Sequence, residues 1–474
     1  MLEIYNSLSK KKEPFRPLVE GKVSMYVCGM TVYDFCHLGH ARVLVVFDVV
    51  ARYLRDSGYE LTYVRNITDI DDKIIKRANE NKEPFTQLTE RFIKAMHEDC
   101  EALNVLAPDQ EPRATSSMSE IISMIKILEE KGFTYLTDTG DVYYNVSQFN
   151  GYGKLSGRKI EEQIPGKRVE VDKAKKNPED FVLWKAAKPE EPSWESPWSQ
   201  GRPGWHIECS AMSTDCLGEQ FDIHGGGMDL KFPHHENEIA QTEGCTGKHA
   251  VNYWMHNGFV QVVTKKEGEG AIGDEQVKMS KSLGNFFTIR EVLSLYRAEE
   301  IRYFILNSHY RSPLNYSQEN LELARSALKT LYTALRNVPD VDESEGQQFK
   351  QKFNAAMDDD FNTAGAISVL FDLAHDINKA KASDMALATK LARELKDLAG
   401  ILGLLQNNVE QFLQSDGGTE AEGFSAEEIE SYIEQRAQAR ANKDFAEGDK
   451  IRALLLEKNI VIEDSADGTR WSRQ

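Results

Sequence analysis

The amino-acid sequence predicts an α/β protein that is built on a parallel sheet and continues into a helical region. Near the N-terminus, residues 22–27 form a partly alternating segment, and residues 41–54 then carry apolar side chains at helical spacing. A strand-like segment follows at residues 60–67. Strand, helix and strand in this order make a βαβ unit, whose two strands lie parallel in one sheet. From about residue 288 the apolar spacing is helical, which predicts mainly helices at residues 290–405.

Length and composition favour a multidomain protein. The chain has 474 residues, which is too long for one ordinary hydrophobic core. Its 28% charged residues and the lack of a long apolar stretch predict no membrane association. Residues 1–17 carry three lysines but no apolar segment of a secretory signal, so we expect a cytoplasmic protein.

Cysteine usage and charge limit the partners. Six cysteines are scattered along the chain without the short framework of small secreted domains, so we expect reduced thiols, some of them metal ligands. The formal net charge of -19 repels a polyanion and argues against generic nucleic-acid binding. A nucleic-acid partner therefore requires local basic patches.

Polar segments separate the predicted structural regions in the middle and near the end of the chain. From about residue 132 to 203 the sequence is rich in Gly, Pro, Lys and Glu, which predicts an insertion between two halves of the α/β region. A polar segment at residues 265–276 predicts a loop before Lys278. Residues 406–423 read as a polar linker, and Ser425 with Glu428 then predicts a capping box that opens a terminal helix.

The first phosphate-binding candidate is His37-Leu38-Gly39-His40, between the first strand and a helix expected to begin near Ala41. A helix N-terminus offers unpaired N–H groups and a positive dipole end, and Gly39 permits close approach of a phosphate. Two imidazoles can donate hydrogen bonds to its oxygens. The pattern predicts an ATP site, although two surface histidines in a turn are the alternative.

The second candidate is Lys278-Met279-Ser280-Lys281-Ser282. Two ammonium groups on a loop can neutralise the charge that develops on departing pyrophosphate. Taken alone, the stretch is also typical of a solvated charge run. Its position after the histidine motif, beyond an α/β region, favours a joint role in ATP binding.

Two further segments lie between these motifs. Gly225-Gly226-Gly227-Met228-Asp229 permits backbone approach to adenine, and Asp229 can accept from a ribose hydroxyl; a tight loop capped by Asp229 is the alternative. Further along, His234 and Glu238 are four residues apart and would share one face of a helix, a spacing suited to one metal ion. His235 and Glu238 are three residues apart, so this pair is also a possible pair of metal ligands.

Two cysteines can complete such a metal site. Cys209 offers a soft ligand, and Cys28 ends the first strand beside the histidine motif. A cysteine in such a position is commonly a small buried hydrophobe, so the residues alone do not assign Cys28 to the metal.

The motifs resemble those of a known enzyme family. The two phosphate motifs resemble the HIGH and KMSKS signatures of class I aminoacyl-tRNA synthetases; Leu38 replaces the isoleucine of the first, and the second matches letter for letter. Residues 204–210 and 222–238 closely resemble the cysteinyl-tRNA synthetase family. The resemblance covers nearly the whole chain and is weakest at residues 340–424.

The resemblance implies a fold and a domain division. The implied fold is a Rossmann-like catalytic domain that an insertion splits, followed by a helical bundle and a small anticodon-binding module. The implied domains are the first catalytic half at 1–120, the connective insertion at 121–203, the second half with the zinc site at 204–275, the KMSKS and stem-contact region at 276–318, the tRNA-binding bundle at 319–405, the linker at 406–424 and the anticodon-binding module at 425–474.

It also implies a reaction: L-cysteine is activated with ATP to cysteinyl adenylate and transferred to the terminal adenosine of tRNA(Cys). The partners would be ATP with Mg²⁺, cysteine and tRNA, and the protein a monomer. One zinc ion per subunit would ligate the substrate thiolate. The implied residues are His37, His40, Lys278 and Lys281 for catalysis, these four with Gly227 and Asp229 for ATP, Gly29, Thr68 and Trp205 for the amino acid, Cys28, Cys209, His234 and Glu238 for zinc, and Arg436, Arg440 and Trp471 for tRNA.

Some alternatives remain at this point. Trp205 and Trp471 can be core residues, and most of the basic side chains can be solvated or ion-paired. A ligase of the mycothiol pathway, which joins cysteine to an amine-bearing sugar, has a similar core but lacks a full anticodon region. An inactive paralogue would not need both phosphate motifs.

Overall fold

The computed structural model describes residues 1–158, 174–265, 274–278, 287–415, 424–465 and 468–473. The strands are β1 (Glu3–Asn6), β2 (Lys11–Pro14), β3 (Lys22–Val27), β4 (Glu60–Arg65), β5 (Thr134–Leu136), β6 (Val142–Tyr144), β7 (Phe181–Ala186), β8 (Gly201–Pro203), β9 (Phe221–Gly227), β10 (Val251–Asn257), β11 (Val260–Lys265), β12 (Asp274–Lys278), β13 (Leu314–Tyr316), β14 (Ile460–Ser465) and β15 (Gly468–Arg473). The helices are α1 (Leu38–Asp56), α2 (Asp72–Asn81), α3 (Phe85–Ala102), α4 (Met118–Glu130), α5 (Trp205–Leu217), α6 (Glu236–Thr246), α7 (Ile289–Leu293), α8 (Ala298–Leu306), α9 (Gln318–Leu335), α10 (Gln347–Asp358), α11 (Thr363–Lys381), α12 (Met385–Ile401), α13 (Val409–Gln414), α14 (Ala426–Ala441) and α15 (Phe445–Glu457).

The central sheet is parallel and confirms the predicted βαβ unit. Its strand order is β10-β9-β3-β4, and each neighbouring pair runs parallel. Helix α1 packs on this sheet next to Gly225, where an added Cβ would lie 2.3 Å from the ring of Phe47. The glycine segment predicted to contact adenosine therefore begins inside β9, and Gly225 lets the helix approach the strand.

Helix α1 begins three residues earlier than predicted. The expected start was Ala41, whereas the helix begins at Leu38 with His37 as its N-cap. Histidine is not among the usual N-cap residues, but here His37 and His40 form a reciprocal capping box. Within this helix Arg42 is fully buried and donates from Nη1 to the carbonyl of Phe259 at 2.8 Å.

The region predicted as an insertion forms its own small sheet. Strands β5, β6, β7 and β8 pair in that order, and all three pairs are antiparallel. Several of its aromatic residues are buried: the ring of Tyr144 stacks on that of Phe181 with centroids 4.9 Å apart, and Trp184 is fully buried. Helix α4 precedes this sheet, and residues 159–173 lie outside the described part of the chain.

The chain divides into two compact units. The first contains residues 1–289, 305–316 and 354–366. Its two later segments are fixed by the buried Asp360, whose carboxylate accepts the amide N–H of Tyr5 at 2.8 Å and the hydroxyl of Tyr310 at 2.8 Å. This unit therefore completes its core with segments that are far apart in sequence.

The second unit contains residues 290–304, 317–353 and 367–474, and it is mainly helical, as predicted for 290–405. The predicted linker at 406–424 contains the helix α13, where Phe412 and Leu413 are buried. The predicted capping box of Ser425 and Glu428 is present at the start of α14. Two helices and the β14-β15 hairpin then enclose a small core that includes Trp471.

Among the described residues, no helix combines the length and the apolar character that a bilayer crossing requires.

Candidate active site and metal centre

Four buried side chains from distant parts of the sequence converge at the carboxyl end of the central sheet. Cys28 follows β3, Cys209 lies on α5, and His234 and Glu238 lie at the entrance to α6. The Sγ of Cys28 is 3.6 Å from the Sγ of Cys209, 3.5 Å from the Nε2 of His234 and 3.3 Å from the Oε1 of Glu238. The Nε2 of His234 is 3.0 Å from the same carboxylate oxygen.

Three of these four spacings fit a tetrahedral zinc ion, and the spacing of 3.0 Å between His234 and Glu238 is slightly shorter. Ligands at the usual Zn–S and Zn–N distances of about 2.3 and 2.0 Å lie roughly 3.3 to 3.8 Å from one another in a tetrahedron. Two thiolates, an imidazole and a carboxylate are a donor set that suits zinc. The Nδ1 of His234 lies 2.9 Å from the Nδ1 of His206, so a second histidine orients the ligand ring.

The pKa values of the carboxyl and thiol groups in this cluster also indicate a cation site. Burial raises the pKa of Glu238 well above its usual value. Burial likewise raises the pKa of the Cys28 thiol, whose hydrogen bond to Cys209 holds the pKa of Cys209 down at about 7. A divalent cation stabilises the charged form of all three groups. The cluster therefore has the composition and spacing of a metal site, and its buried acidic groups need a positive charge to be stable in their ionised form.

A second set of possible ligands overlaps the first. Cys28, His224, His235 and Glu238 also place one donor atom each within 4.8 Å of one another. The Nε2 of His224 is 3.4 Å from the Sγ of Cys28, but the Nδ1 of His235 is 2.8 Å from the Nε2 of His256. Burial lowers the pKa of His224 and of His235 well below the usual range, so both rings are neutral. The set with Cys209 is favoured because it offers two thiols.

A cleft of about 300 Å³ opens beside the cluster and is lined by Cys28, which also belongs to the metal site. Gly29 is required here, because an added Cβ would lie 1.6 Å from the carbonyl oxygen of Asn66. Trp205 lines the cleft, is 38% exposed and stacks on His234 with ring centroids 4.2 Å apart. It is therefore a wall of the cleft, not a core residue.

Thr68 lies beside the cleft but is not among its lining residues. It is 1% exposed, and its amide N–H donates to the carbonyl of Met30 at 3.2 Å. Its backbone therefore supports the strand-end segment that contains Gly29.

The two histidines of the first motif lie at the cleft and hold each other. The amide N–H of His40 donates to the Nδ1 of His37 at 3.3 Å, and the amide N–H of His37 donates to the Nδ1 of His40 at 3.2 Å. The rings stack with centroids 3.7 Å apart. Because each Nδ1 accepts a hydrogen bond, the proton of each neutral ring is on Nε2, which makes that atom the donor.

The glycine segment and the lysine motif are described to different extents. Gly227 and Asp229 both line the cleft. The backbone of Lys278 ends β12. Met279 to Ser282, including Lys281, lie outside the described residues.

The residues predicted to contact tRNA have intramolecular partners. Arg436 is buried and donates to both carboxylate oxygens of Asp464, at 2.8 and 2.9 Å. Arg440 donates to the same carboxylate at 2.7 Å but is about half exposed. The indole N–H of Trp471 donates to Glu430 at 2.6 Å, and the ring is buried. Arg440 is the most accessible of the three predicted contacts.

Sequence reasoning missed several cleft residues. Tyr33, Lys73 and Asn257 line the cleft, and His224 contacts the metal cluster. Tyr33 and Asn257 lie within five residues of a predicted site residue or a strand end, which was the available signal. Lys73 likewise lies five residues after the predicted Thr68, but its place in the cleft depends on how α2 packs, which spacing does not indicate.

Comparison with known proteins identifies related chains. Residues 14–326 match the family described as "tRNA synthetases class I (C) catalytic domain", and residues 352–406 match the DALR domain. The cysteine–tRNA ligase of Methylococcus capsulatus is 59% identical over 479 residues, and the match covers 100% of both chains. The cysteine–tRNA ligase of Thioalkalivibrio sulfidiphilus is 59% identical over 474 residues, again with 100% of both chains.

Solved structures support the fold. A methionyl-tRNA synthetase from Mycobacterium tuberculosis, bound to methionyl-adenylate, superposes with a TM-score of 0.56 at 14% sequence identity. The match covers 80% of this chain and 90% of that one. At this identity the likeness concerns the fold alone.

Proposed function

The chain belongs to the cysteine–tRNA ligase family of class I tRNA synthetases, and we propose on this premise that it joins L-cysteine to tRNA(Cys) with ATP, using a zinc ion to select the amino acid. The observation that carries the zinc assignment is the double role of Cys28, which belongs to the metal cluster and lines the cleft. A metal ion held by Cys28, Cys209, His234 and Glu238 would therefore also lie within reach of a substrate in the cleft.

Cys28, Cys209, His234 and Glu238 would hold the zinc ion, which would supply a Lewis acid that favours a thiolate over a serine hydroxyl, whose pKa is far higher. Shape alone sorts near-isosteric side chains only about 10- to 200-fold. The described insertion is a small four-stranded sheet, which fits a family member that needs no separate editing domain.

The side chains of the cleft then position the amino acid. The indole of Trp205 closes one side of the cleft, and Gly29 leaves room where a Cβ would clash. Thr68 contributes indirectly, because its amide N–H holds the backbone at Met30. The amino acid is thereby held with its carboxylate free to attack the α-phosphorus of ATP, which releases pyrophosphate and leaves cysteinyl adenylate.

Phosphate binding falls to the two signature motifs. The Nε2–H groups of His37 and His40 donate to phosphate oxygens at the N-terminus of α1, whose dipole also attracts the anion. Lys278 and Lys281 neutralise the departing pyrophosphate, and Mg²⁺ accompanies ATP. Gly227 and Asp229 bind the adenosine from the end of β9.

The second step moves the acyl group to the 2′-hydroxyl of the terminal adenosine of tRNA(Cys). Arg436, Arg440 and Trp471 contribute to tRNA binding in the terminal module, with Arg440 as the accessible contact. We place the protein in the cytoplasm as a monomer, and its six free thiols suit a reducing compartment. The proposed domains are the catalytic halves at 1–120 and 204–275, the insertion at 121–203, the stem-contact region at 276–318, the bundle at 319–405, the linker at 406–424 and the anticodon-binding module at 425–474.

Cysteine-dependent ATP/pyrophosphate exchange on purified protein tests the proposal, with serine as the control and zinc measured in the same sample. We expect exchange with cysteine, none above background with serine, and one zinc per chain. Charging of tRNA(Cys) is then measured directly. Exchange without charging would support the ligase that uses an amine-bearing sugar, and full exchange by metal-free protein would refute the zinc role.

A further inference from the structure

Two buried histidines belong to a hydrogen-bonded chain that ends at the metal cluster, and the chemistry proposed above does not use them. His235 is the N-cap of α6, and His256 lies on β10. The Nδ1 of His235 is 2.8 Å from the Nε2 of His256, whose Nδ1 is 2.8 Å from the hydroxyl oxygen of Ser7. Ser7 directly follows β1 and is also buried. Three side chains thus connect the end of the N-terminal strand with the metal cluster.

The hydroxyl of Ser7 sets the direction of these hydrogen bonds. Among the residues that the structure describes, the ring of His256 is the only hydrogen-bond partner of this hydroxyl. If the hydroxyl accepted a hydrogen bond from the ring, its own hydrogen would be buried without an acceptor, which is costly. It therefore donates to the Nδ1 of His256. Burial lowers the pKa of His256 to about 3, so this neutral ring carries its proton on Nε2 and donates it to the Nδ1 of His235.

The same rule fixes the proton of His235. Because its Nδ1 accepts from His256, the proton of His235 is on Nε2. That atom has no hydrogen-bond partner in the described part of the chain and lies 3.9 Å from the Oε1 of Glu238. His235 therefore presents an N–H group to the metal cluster. A nitrogen that carries a proton has no lone pair for a metal ion, so neither nitrogen of His235 is available as a ligand.

This tautomer decides between the two ligand sets described above. They share Cys28 and Glu238 and differ in one pair, which is Cys209 with His234 in the first set and His224 with His235 in the second. In both sets the donor atoms lie within 4.8 Å of one another, so these distances alone permit either set. The second set requires a lone pair on His235. With the proton of His235 on Nε2, that set is reduced to three donors.

We propose that Ser7 is a positioning residue of the metal site, an inference that rests on the zinc role proposed above. Its hydroxyl fixes the tautomer of His256 and, through that ring, the tautomer of His235. The metal ion is thereby confined to the ligand set with two thiols, which suits zinc. A residue at the end of the N-terminal strand thus controls which side chains hold the ion that selects cysteine.

The first test determines the two tautomers directly. The full-length, zinc-loaded protein is prepared with ¹⁵N-labelled histidine, and long-range ¹H–¹⁵N spectra distinguish a ring nitrogen that carries a proton from one that does not. The signals of the two rings are assigned by their loss in His235→Gln and His256→Gln. We expect the proton on Nε2 of both rings. A proton on the Nδ1 of His235 would overturn the inference.

The second test compares Ser7→Val with Ser7→Thr. Valine and threonine have nearly the same shape and only threonine keeps the hydroxyl, so this matched pair separates the hydrogen bond from the packing. Each full-length protein is loaded with Co²⁺ in place of zinc, and the sulfur-to-cobalt charge-transfer absorption is measured per bound ion. This absorption grows with the number of thiolate ligands, which is two in the set with Cys209 and one in the set with His235.

We expect Ser7→Thr to keep the wild-type absorption per ion. Ser7→Val should lower the absorption towards about half, because the other tautomer of His235 then offers a lone pair to the ion. Equal absorption in all three proteins would overturn the inference and leave the proposed metal site standing.

Two other results would also contradict the inference. Loss of the ion from Ser7→Val alone would overturn it, because the second ligand set would then not compete for the metal. Cobalt bound by the wild type without charge-transfer absorption would refute the metal site itself, and the inference with it.

Discussion

The amide N–H groups of His37 and His40 each donate to the Nδ1 of the other residue, at 3.2 and 3.3 Å. One pair of side chains thus caps helix α1 and uses the Nδ1 of both rings as hydrogen-bond acceptors. The structural and the chemical roles can be separated by substitution.

His37→Asn should keep the cap and lose the phosphate donor. Asparagine is among the best N-cap residues, so the thermal midpoint should stay unchanged. The rate of cysteine-dependent ATP/pyrophosphate exchange should fall about 100-fold, as for other lost transition-state donors. An exchange rate equal to that of the wild type would show that His37 serves only the helix.

Cys209→Ala should lose stoichiometric zinc and cysteine binding while it still binds ATP. The matched control is Cys245→Ala, which removes a buried thiol that lies on α6 and does not belong to the metal cluster. Zinc is measured by elemental analysis after dialysis, and ATP binding by calorimetry. Full zinc content in Cys209→Ala would reject the ligand assignment.

Gly225→Ala should destabilise the first unit. The new Cβ would lie 2.3 Å from the Phe47 ring, and overpacking of this kind costs about 1 to 3 kcal/mol. The free energy of unfolding is measured in urea. Phe47→Leu in the same chain should recover part of the loss, and strict additivity of the two changes would show that they do not meet.

The buried His256 predicts a pH-dependent stability. Burial lowers its pKa from 6.5 to about 3, so the unfolded chain binds this proton more readily than the folded one. Stability should therefore fall as the pH drops from about 6.5 towards 3, by about 2 to 3 kcal/mol between pH 6.5 and 4.5. His256→Gln should show a shallower slope over this range in urea titrations, and an unchanged slope would contradict the prediction.

Substitutions of Arg436 and Arg440 should affect different properties, stability in the first case and tRNA binding in the second. Arg436→Ala removes a buried partner of Asp464 and should lower the thermal midpoint. Arg440→Ala should leave the midpoint unchanged and weaken tRNA(Cys) binding a few-fold, measured by filter binding at fixed salt. Unaltered affinity would remove Arg440 from the tRNA contacts.

Much of the catalytic fold was predictable because its signals are local. The alternation in β3 and the helical spacing of α1 fixed the βαβ unit, and parallel strands bring their carboxyl ends together. That is why Cys28 and the histidine motif meet Gly227 at one edge of the sheet.

One error came from a local side-chain contact, and the others came from long-range contacts. Helix α1 begins early because two histidines cap each other, which no propensity indicates. Gly225 lies in β9 and not in the tight loop of the alternative interpretation, and its lack of a side chain lets Phe47 of α1 pack against it. The burial of Trp471 depends on Glu430, and that of Arg436 on Asp464, and neither partner can be chosen from spacing alone.

The carboxylate of Asp360 binds the amide of Tyr5 and the hydroxyl of Tyr310, three points that are widely separated in sequence. During synthesis on the ribosome, the N-terminal strand is made long before its acceptor emerges. The first unit cannot finish folding until residue 366 has left the exit tunnel, by which time much of the second unit has also been translated. A nascent chain that stalls at residue 289 would carry the metal ligands and the histidine motif on an incomplete core.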